Sequence, residues 1–273
     1  MGSGGFRAVP SSGSSRPPPI GYFGWALRVA LREYVRGFLL VASICALLAG
    51  AGLLIDARSL VAAAGLVAAL GVALLVTSVI GVYRFYGRPA IRYYRRIVAV
   101  AVLERVPLSV ADLHVGTYRH TQALAELLPR AQIHSVDCWD EELSPPDAAL
   151  RELRSAEPPP EGKPSVHLVR VKNGKVPLPD ASCDAVVLGI GIHEIDPPVR
   201  ERLFVEAARL LRPEGRVVLF EHVRNLRNAL VFGVVIRHWP GRDAWLSALR
   251  RHFQRVEHVA VWPTVDLFMG SRR

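Results

Sequence analysis

The chain has 273 residues, of which 51% are hydrophobic and 21% are charged, so it can bury a sizeable core and global disorder is excluded. The three cysteines contain no CxxC pair, which argues against a disulfide scaffold or a cysteine zinc cluster and favours a reducing compartment. The net charge of +10 is uneven: residues 1–99 carry 11 Lys+Arg against 2 Asp+Glu, and residues 100–273 carry 23 against 22. Two differently built regions therefore meet near residue 100.

The pattern of the first region, residues 1–99, predicts a membrane anchor. Residues 1–20 are rich in Gly, Ser and Pro, which predicts a disordered lead. Within residues 21–99, uncharged runs cover about 38–55 and 60–83. These runs predict helices roughly 27 and 36 Å long, and a bilayer core is about 30 Å thick. We therefore expect a transmembrane helical hairpin. The alternative is a buried soluble hairpin, which would need a very large core to cover both runs.

The arginines around these runs predict their orientation. Arg28, Arg32 and Arg36 precede the first run, and five further arginines follow the second, whereas the short connecting loop has only Arg58. The positive-inside rule then places both outer flanks in the cytoplasm. We expect a multi-pass membrane protein with a cytoplasmic C-terminal domain and with membrane lipids as partners. Whether the first three arginines contact anionic headgroups or only set the topology stays open.

Residues 100–273 alternate predicted strands and helices. The pattern predicts helices near residues 121–128, 146–156 and 243–252, and another that begins after Asp196. It predicts strands at residues 109–113, 132–137, 165–171, 184–190, 216–221, 255–261 and 264–270. Repeated strand–helix units predict an α/β, Rossmann-like domain with a mostly parallel sheet and helices on both faces. In such sheets, ligands bind outside the carboxyl ends of the strands.

Two segments of this domain resemble the class I S-adenosylmethionine-dependent methyltransferases. Residues 178–187 read LPDASCDAVV and are similar to the family's LPFPDASFDAVV stretch before and into the fourth strand. Residues 206–216 read EAARLLRPEGR and resemble its EAARVLRPGGR exit into the fifth strand. The resemblance covers about residues 100–273. A membrane hairpin ahead of such a domain also resembles bacterial methyltransferase-like proteins.

The resemblance implies that S-adenosylmethionine is the cofactor. Asp112 and Gly116 match the family's D/E-x-G-x-G-x-G loop, while His114 and Tyr118 stand at its other two glycine positions. Glycine lets the backbone turn sharply and approach the cofactor, so these side chains either fill the space of the methionine moiety or only reshape the loop. Asp137 matches the family's acidic residue for the ribose hydroxyls.

Candidate catalytic residues follow the fourth and fifth strands. Because an oxygen or nitrogen nucleophile must lose a proton, His193, Glu194 or His222 is expected to accept that proton or to orient the acceptor. A structural role stays equally open for each of them. We expect no metal site, since the nine histidines lack ligand spacing. The apolar residues 229–239 are too short to span a bilayer and form a lid, a patch that dips into the membrane surface, or a buried helix.

Two hypotheses about function follow from these patterns. The first is a membrane-anchored S-adenosylmethionine-dependent methyltransferase that acts on a small or lipid-like acceptor. The near-neutral C-terminal region argues against nucleic acid as a partner, because phosphate contacts require clustered basic residues. The second is a membrane-bound scaffold or binding module that has lost the cofactor, which His114, Tyr118 and Lys172 favour.

Overall fold

A computed structural model of the chain describes residues 21–87, 91–101, 108–115, 118–139, 154, 159–160, 162–171 and 174–272. Four predicted features lie outside this part of the chain. They are the disordered lead at 1–20, the helix at 146–156 except for Arg154, and the placements of Gly116 and Lys172.

A long helical hairpin opens the described chain. Helix α1 covers Gly21–Leu54 and helix α2 covers Arg58–Tyr86. The two helices pack closely, since a Cβ atom at Gly71 would lie 2.9 Å from Val41 Cγ1. Two segments, Tyr34–Leu54 and Arg58–Tyr86, are long and apolar enough to cross a membrane, by length and composition only. Only 6% of each apolar window is buried, so few of these apolar residues are enclosed by the rest of the protein.

The α/β region contains one sheet of seven strands in the order β3-β2-β1-β4-β5-β7-β6. The strands are β1 Ser109–His114, β2 Gln132–Asp137, β3 Val166–Arg170, β4 Cys183–Leu188, β5 Leu211–Glu221, β6 Phe253–Val261 and β7 Val265–Arg272. The first five are mutually parallel, and β7 and β6 are antiparallel. All seven predicted strands are confirmed, and β5 begins earlier than expected because Leu211 pairs with Cys183 ahead of a register shift.

Helices cover both faces of the sheet, as the sequence predicted. They are α3 Ile91–Ala101, α4 Arg119–Leu127, α5 Pro197–Leu210, α6 Leu226–Phe232 and α7 Arg242–Arg250. On one face, aromatic residues of α3 pack with Leu124 of α4 and Val218 of β5. On the other, Phe204 of α5 and Trp245 of α7 pack against Leu219. Because every strand residue of β4 is buried, the sheet lies between two apolar layers.

The apolar stretch at 229–239 divides between α6 and a 3-10 helix, Gly233–His238. Val231, Ile236 and Trp239 are buried, whereas Leu230 and Val235 are exposed. The stretch is therefore only half covered by the rest of the protein. Its buried side lies against the hairpin, because Val231 packs with Ala26 and Val82.

Candidate active site at the carboxyl edge of the sheet

Asp112 lies in strand β1, two residues before the strand ends at His114, and it is closed to solvent. Its side chain is fully buried, and its Oδ2 accepts a hydrogen bond of 2.6 Å from Thr121 of α4. Burial raises the pKa of Asp112 to about 7, because a carboxylate loses its hydration there. Its Oδ1 has no hydrogen-bond partner among the residues that the structure describes.

His114, at the first altered glycine position, is enclosed between β1, β2 and α4. Its Nε2 lies 3.1 Å from Ser135 Oγ, and its ring centroid lies 4.9 Å from that of Tyr118. The residue has no exposed surface, and burial lowers the pKa of its imidazole to about 4. His114 is therefore a neutral interior side chain within a polar cluster that also includes Thr121.

Asp137 ends β2 directly beside the end of β1, opposite His114 in the parallel register. Both of its oxygens accept hydrogen bonds from the guanidinium of Arg154, at 2.8 and 3.1 Å. Arg154 also donates to Val115 O and lies 5.0 Å from the ring centroid of Trp139. Burial would raise the pKa of Asp137, but its hydrogen bonds with Arg154 outweigh that effect and lower it. Asp137 is an anion whose side chain stays 13% exposed.

Glu221 organises the other half of the edge, at the ends of β4 and β5. Its side chain has no exposed surface. One oxygen accepts from the backbone N–H groups of Gly191 and His193, and the other accepts from the N–H of His222 and lies 2.7 Å from His193 Nδ1. Three of these four contacts bind the loop after β4 to the buried carboxylate at the end of β5. Glu221 is the acidic residue that ends the apolar strand β5.

His193 lies between two carboxylates. Its Nδ1 faces Glu221, and its Nε2 lies 2.9 Å from Glu194, which also contacts His238 at 3.2 Å. Burial would lower the pKa of His193, but the charge of Glu221, together with Glu194, outweighs burial and raises it to about 10. Burial would raise the pKa of Glu194, but its hydrogen bond with His193 outweighs burial and lowers the pKa to about 2. Both side chains are therefore charged and mutually engaged.

Both ring nitrogens of His193 face carboxylates, whereas only one ring nitrogen of His222 has a hydrogen-bond partner among the described residues. Its Nδ1 lies 2.9 Å from the carbonyl oxygen of Thr264, an acceptor, so Nδ1 carries the proton. Its buried Nε2, then a lone-pair acceptor, has no hydrogen-bond partner among the described residues. Burial lowers the pKa of His222 to about 3, so the imidazole is neutral at pH 7.

The His222 ring lies in a cage of three aromatic side chains. Trp239 stacks on it with centroids 5.0 Å apart and planes 12° apart, and the Phe232 ring lies 4.9 Å away. The third wall is Phe85, at 4.6 Å. Phe85 belongs to α2, so the base of the hairpin forms part of this site.

The structure thus brings the predicted residues together in two groups. Asp112 lies near the end of β1 and Asp137 ends β2, whereas His193 and Glu194 follow β4 and His222 follows β5. Sequence reasoning missed Arg154 and Phe85, which join the site from segments without a recognisable motif. Over the described ranges, no group of three or more His, Cys, Asp or Glu side chains is arranged to hold a metal ion.

Comparison with known proteins shows what this region of the chain is similar to. Residues 111–219 match the family model described as "Methyltransferase domain". The chain is 30% identical over 151 residues to the demethylmenaquinone methyltransferase of Thermus thermophilus, which covers 54% of this chain. It spans only 60% of the length of that curated relative.

Solved structures agree on the fold. A S-adenosylmethionine-dependent methyltransferase from Aquifex aeolicus has a TM-score of 0.51 at 16% identity, covering 66% of this chain and 89% of that one. A putative O-methyltransferase from Nostoc punctiforme has a TM-score of 0.50 at 18% identity, covering 73% and 59%. The α/β part of the chain therefore has the fold of S-adenosylmethionine-dependent methyltransferases. Residues 111–219 of this region are the segment that is similar to the methyltransferase family model.

The side chains near the ends of β1 and β2 could bind S-adenosylmethionine if Arg154 released Asp137. Asp137 is an anionic, partly exposed acceptor beside the end of β1, as a ribose diol requires. The imidazole of His114 lies in the interior, beside Ser135 of β2. The condition is that Arg154 gives up its two bonds to Asp137, which an arginine that is itself 21% exposed is placed to do.

Proposed function

We propose that the protein is a membrane-anchored S-adenosylmethionine-dependent methyltransferase that acts on a small or lipid-like acceptor. One observation carries the proposal. The carboxyl edge of the sheet has a carboxylate suited to the cofactor, Asp137, on one half, and on the other half a caged His222 whose wall includes Phe85 of the hairpin. The edge that the fold reserves for ligands is therefore also the edge that meets the anchor.

Asp112 and Asp137 would hold the cofactor, which supplies an intrinsically electrophilic methyl group when bound. Asp137 would accept hydrogen bonds from the ribose hydroxyls in exchange for those from Arg154. Asp112, with a pKa raised by burial to about 7 and one oxygen unpartnered among the described residues, would anchor the loop that follows β1.

His222 is our candidate for orienting the acceptor. Its buried Nε2 would accept a hydrogen bond from a hydroxyl of the acceptor, because the Nδ1–H already donates to the carbonyl oxygen of Thr264. The aromatic cage would exclude water and pack against a flat or apolar substrate. His193 and Glu194 would act by position, since each is already committed to an oppositely charged partner.

Three observations support a lipid-like acceptor and a membrane location. The hairpin has few apolar residues that are enclosed by the rest of the protein. Its cytoplasmic end, in the topology that the arginines predict, reaches the caged histidine. The relative from Thermus thermophilus is named for a demethylmenaquinone, a name that belongs to that protein and that suggests where to look for the acceptor of this one.

The test is methyl transfer by the full chain in lipid nanodiscs. S-adenosylmethionine labelled in its methyl group is supplied with a total bacterial lipid extract, and label is counted in the organic and aqueous phases. We expect label in the organic phase, abolished in Asp137→Ala and reduced in His222→Phe, with Glu257→Gln, an exposed change on β6, as the unaffected control. Label in the aqueous phase alone would reject the lipid-like acceptor.

A second candidate function is a membrane-bound binding module without a cofactor. The bidentate pair of Arg154 with Asp137 favours it, because that pair satisfies the carboxylate without any ligand. The two candidates differ in whether S-adenosylmethionine binds at all, which can be measured without knowing the acceptor.

A further inference from the structure

Helix α6 has two apolar sides, and only one of them is covered. Val231 is buried against the hairpin, where its packing partners are Ala26 and Val82. On the other side, Leu226 is 76% exposed and Leu230 is 43% exposed. These two residues are four positions apart, so they share one face of the helix.

The neighbouring turn between β6 and β7 continues this open surface. Trp262 in that turn is 62% exposed, and the guanidinium of Arg84, from the end of α2, lies 4.4 Å from its ring centroid. Arg227 of α6 is bound to Asp266 at the start of β7, which ties the helix to the same turn. Large apolar side chains therefore surround the point where the hairpin enters the domain.

The contacts between α6 and α2 show how far along the hairpin α6 lies. Ser78 Oγ donates a hydrogen bond to Val231 O and lies 2.7 Å from Tyr34 OH. A Cβ atom at Gly81 would lie 2.5 Å from Val231 Cγ1, so the two helices touch there. From Arg58, at the start of α2, these contacts are roughly 30–35 Å along the axis at about 1.5 Å per residue. A bilayer core is about 30 Å thick, so α6 meets α2 where the hydrocarbon of a spanned bilayer would end.

The charge of the segment suits that depth. Residues 224–242 contain four arginines and neither Asp nor Glu. An apolar face combined with arginines is typical of elements that lie in the plane of a membrane interface, and basic residues there are attracted to anionic headgroups.

We infer that α6, the 3-10 helix after it and the Trp262 turn form a second membrane contact, which rests in the headgroup layer of the inner leaflet. This inference rests on the membrane anchoring proposed above. It holds the carboxyl edge of the sheet against the bilayer, so that an apolar acceptor reaches His222 along the seam between α2 and α6 without crossing water.

The test uses the full chain with Cys45→Ala in vesicles of phosphatidylcholine and phosphatidylglycerol. The other two cysteines are buried, so Cys45→Ala alone should take up no thiol-reactive dye. Single cysteines then carry an environment-sensitive fluorophore at three exposed leucines: Leu226 in α6, Leu47 in the hairpin and Leu168 on β3. Brominated lipids quench the dye according to its depth.

The inference predicts blue-shifted emission at Leu226→Cys with strongest quenching by bromines near the headgroups. Leu47→Cys should be quenched most by deeper bromines, and Leu168→Cys should report water. Emission at Leu226→Cys that matches Leu168→Cys, with Leu47→Cys in lipid, would overturn the second contact and leave the anchor standing. Water-like emission at Leu47→Cys would overturn both.

Discussion

The two halves of the carboxyl edge each contain a carboxylate, but they use it differently. Glu221 is fully enclosed and makes three contacts with the loop after β4 and one with the N–H of His222. Asp137 is partly exposed, and most of its bonds come from one arginine that is also partly exposed. Glu221 therefore has a structural role. Asp137 can bind a ligand if Arg154 gives up its hydrogen bonds.

Glu221→Gln should break the enclosed half and give the largest effect on stability. Removing one partner of a buried charge pair costs about 3 kcal/mol or more, because the protonated His193 loses its main counter-ion. For a domain of this size, the melting temperature should fall by roughly 6–12 °C. Thermal melting of the full chain in detergent measures this. Glu257→Gln is the control, and an unchanged melting temperature would mean that Glu221 does not organise the loop.

His114→Gly tests whether the His114 side chain is only a buried part of the structure or occupies the space of the cofactor's methionine moiety. Because the imidazole is buried and bonded to Ser135, removing it should lower the free energy of unfolding by about 2 kcal/mol and should leave cofactor affinity unimproved. Melting and cofactor titration on the same sample measure both. A gain in affinity would instead show that His114 fills the space of the methionine moiety.

The two neutral histidines should each lose stability in acid. Burial holds the pKa values of His114 and His222 at about 4 and about 3, below the ordinary value of 6.5. Below pH 6.5 the unfolded chain binds protons that these folded sites refuse, so the contribution of both histidines falls as the pH falls. Asp112, whose pKa is raised to about 7, acts in the opposite direction and gains stability as the pH falls. His193 has a raised pKa, and its contribution is fully present below pH 6.5 and is lost only as the pH rises towards 10.

Each neutral histidine should account for about 2 kcal/mol of the loss between pH 6.5 and pH 5. His222→Gln and His114→Gln should therefore lose less stability than the wild type over this interval, by about that amount. Melting curves at the two pH values measure the difference. A variant as acid-sensitive as the wild type would show that its histidine is protonated in the folded state.

Arg154→Ala should have the smallest effect of these variants, a modest gain in cofactor affinity at Asp137. A partly exposed ion pair contributes only about 0–1 kcal/mol, so freeing Asp137 should tighten cofactor binding by roughly two- to fivefold. Arg170→Ala, which removes an exposed arginine from the end of the adjacent β3, controls for the loss of positive charge. Weaker binding in Arg154→Ala alone would mean that Arg154 contacts the ligand rather than competing with it.

The sequence predicted the elements and the order of the edge residues far better than their bonding. Strands such as β4 are marked by continuous apolar runs, and the hairpin by its uncharged lengths, so both are readable from local pattern. The pairing of Asp137 with Arg154 and the approach of Phe85 to His222 join residues far apart in the chain. Such contacts depend on how helices seat against the sheet, which no local pattern encodes.

The most direct test of the account is a calorimetric titration of S-adenosylmethionine into the full chain in nanodiscs, for the wild type and Asp137→Ala. We predict micromolar binding by the wild type. Charge-assisted hydrogen bonds contribute about 1.5–3 kcal/mol each, so losing those to the ribose should weaken binding at least tenfold. Binding that is indifferent to Asp137 would contradict the placement of the site. No binding by the wild type or by Arg154→Ala would contradict the enzyme and favour the cofactor-less module.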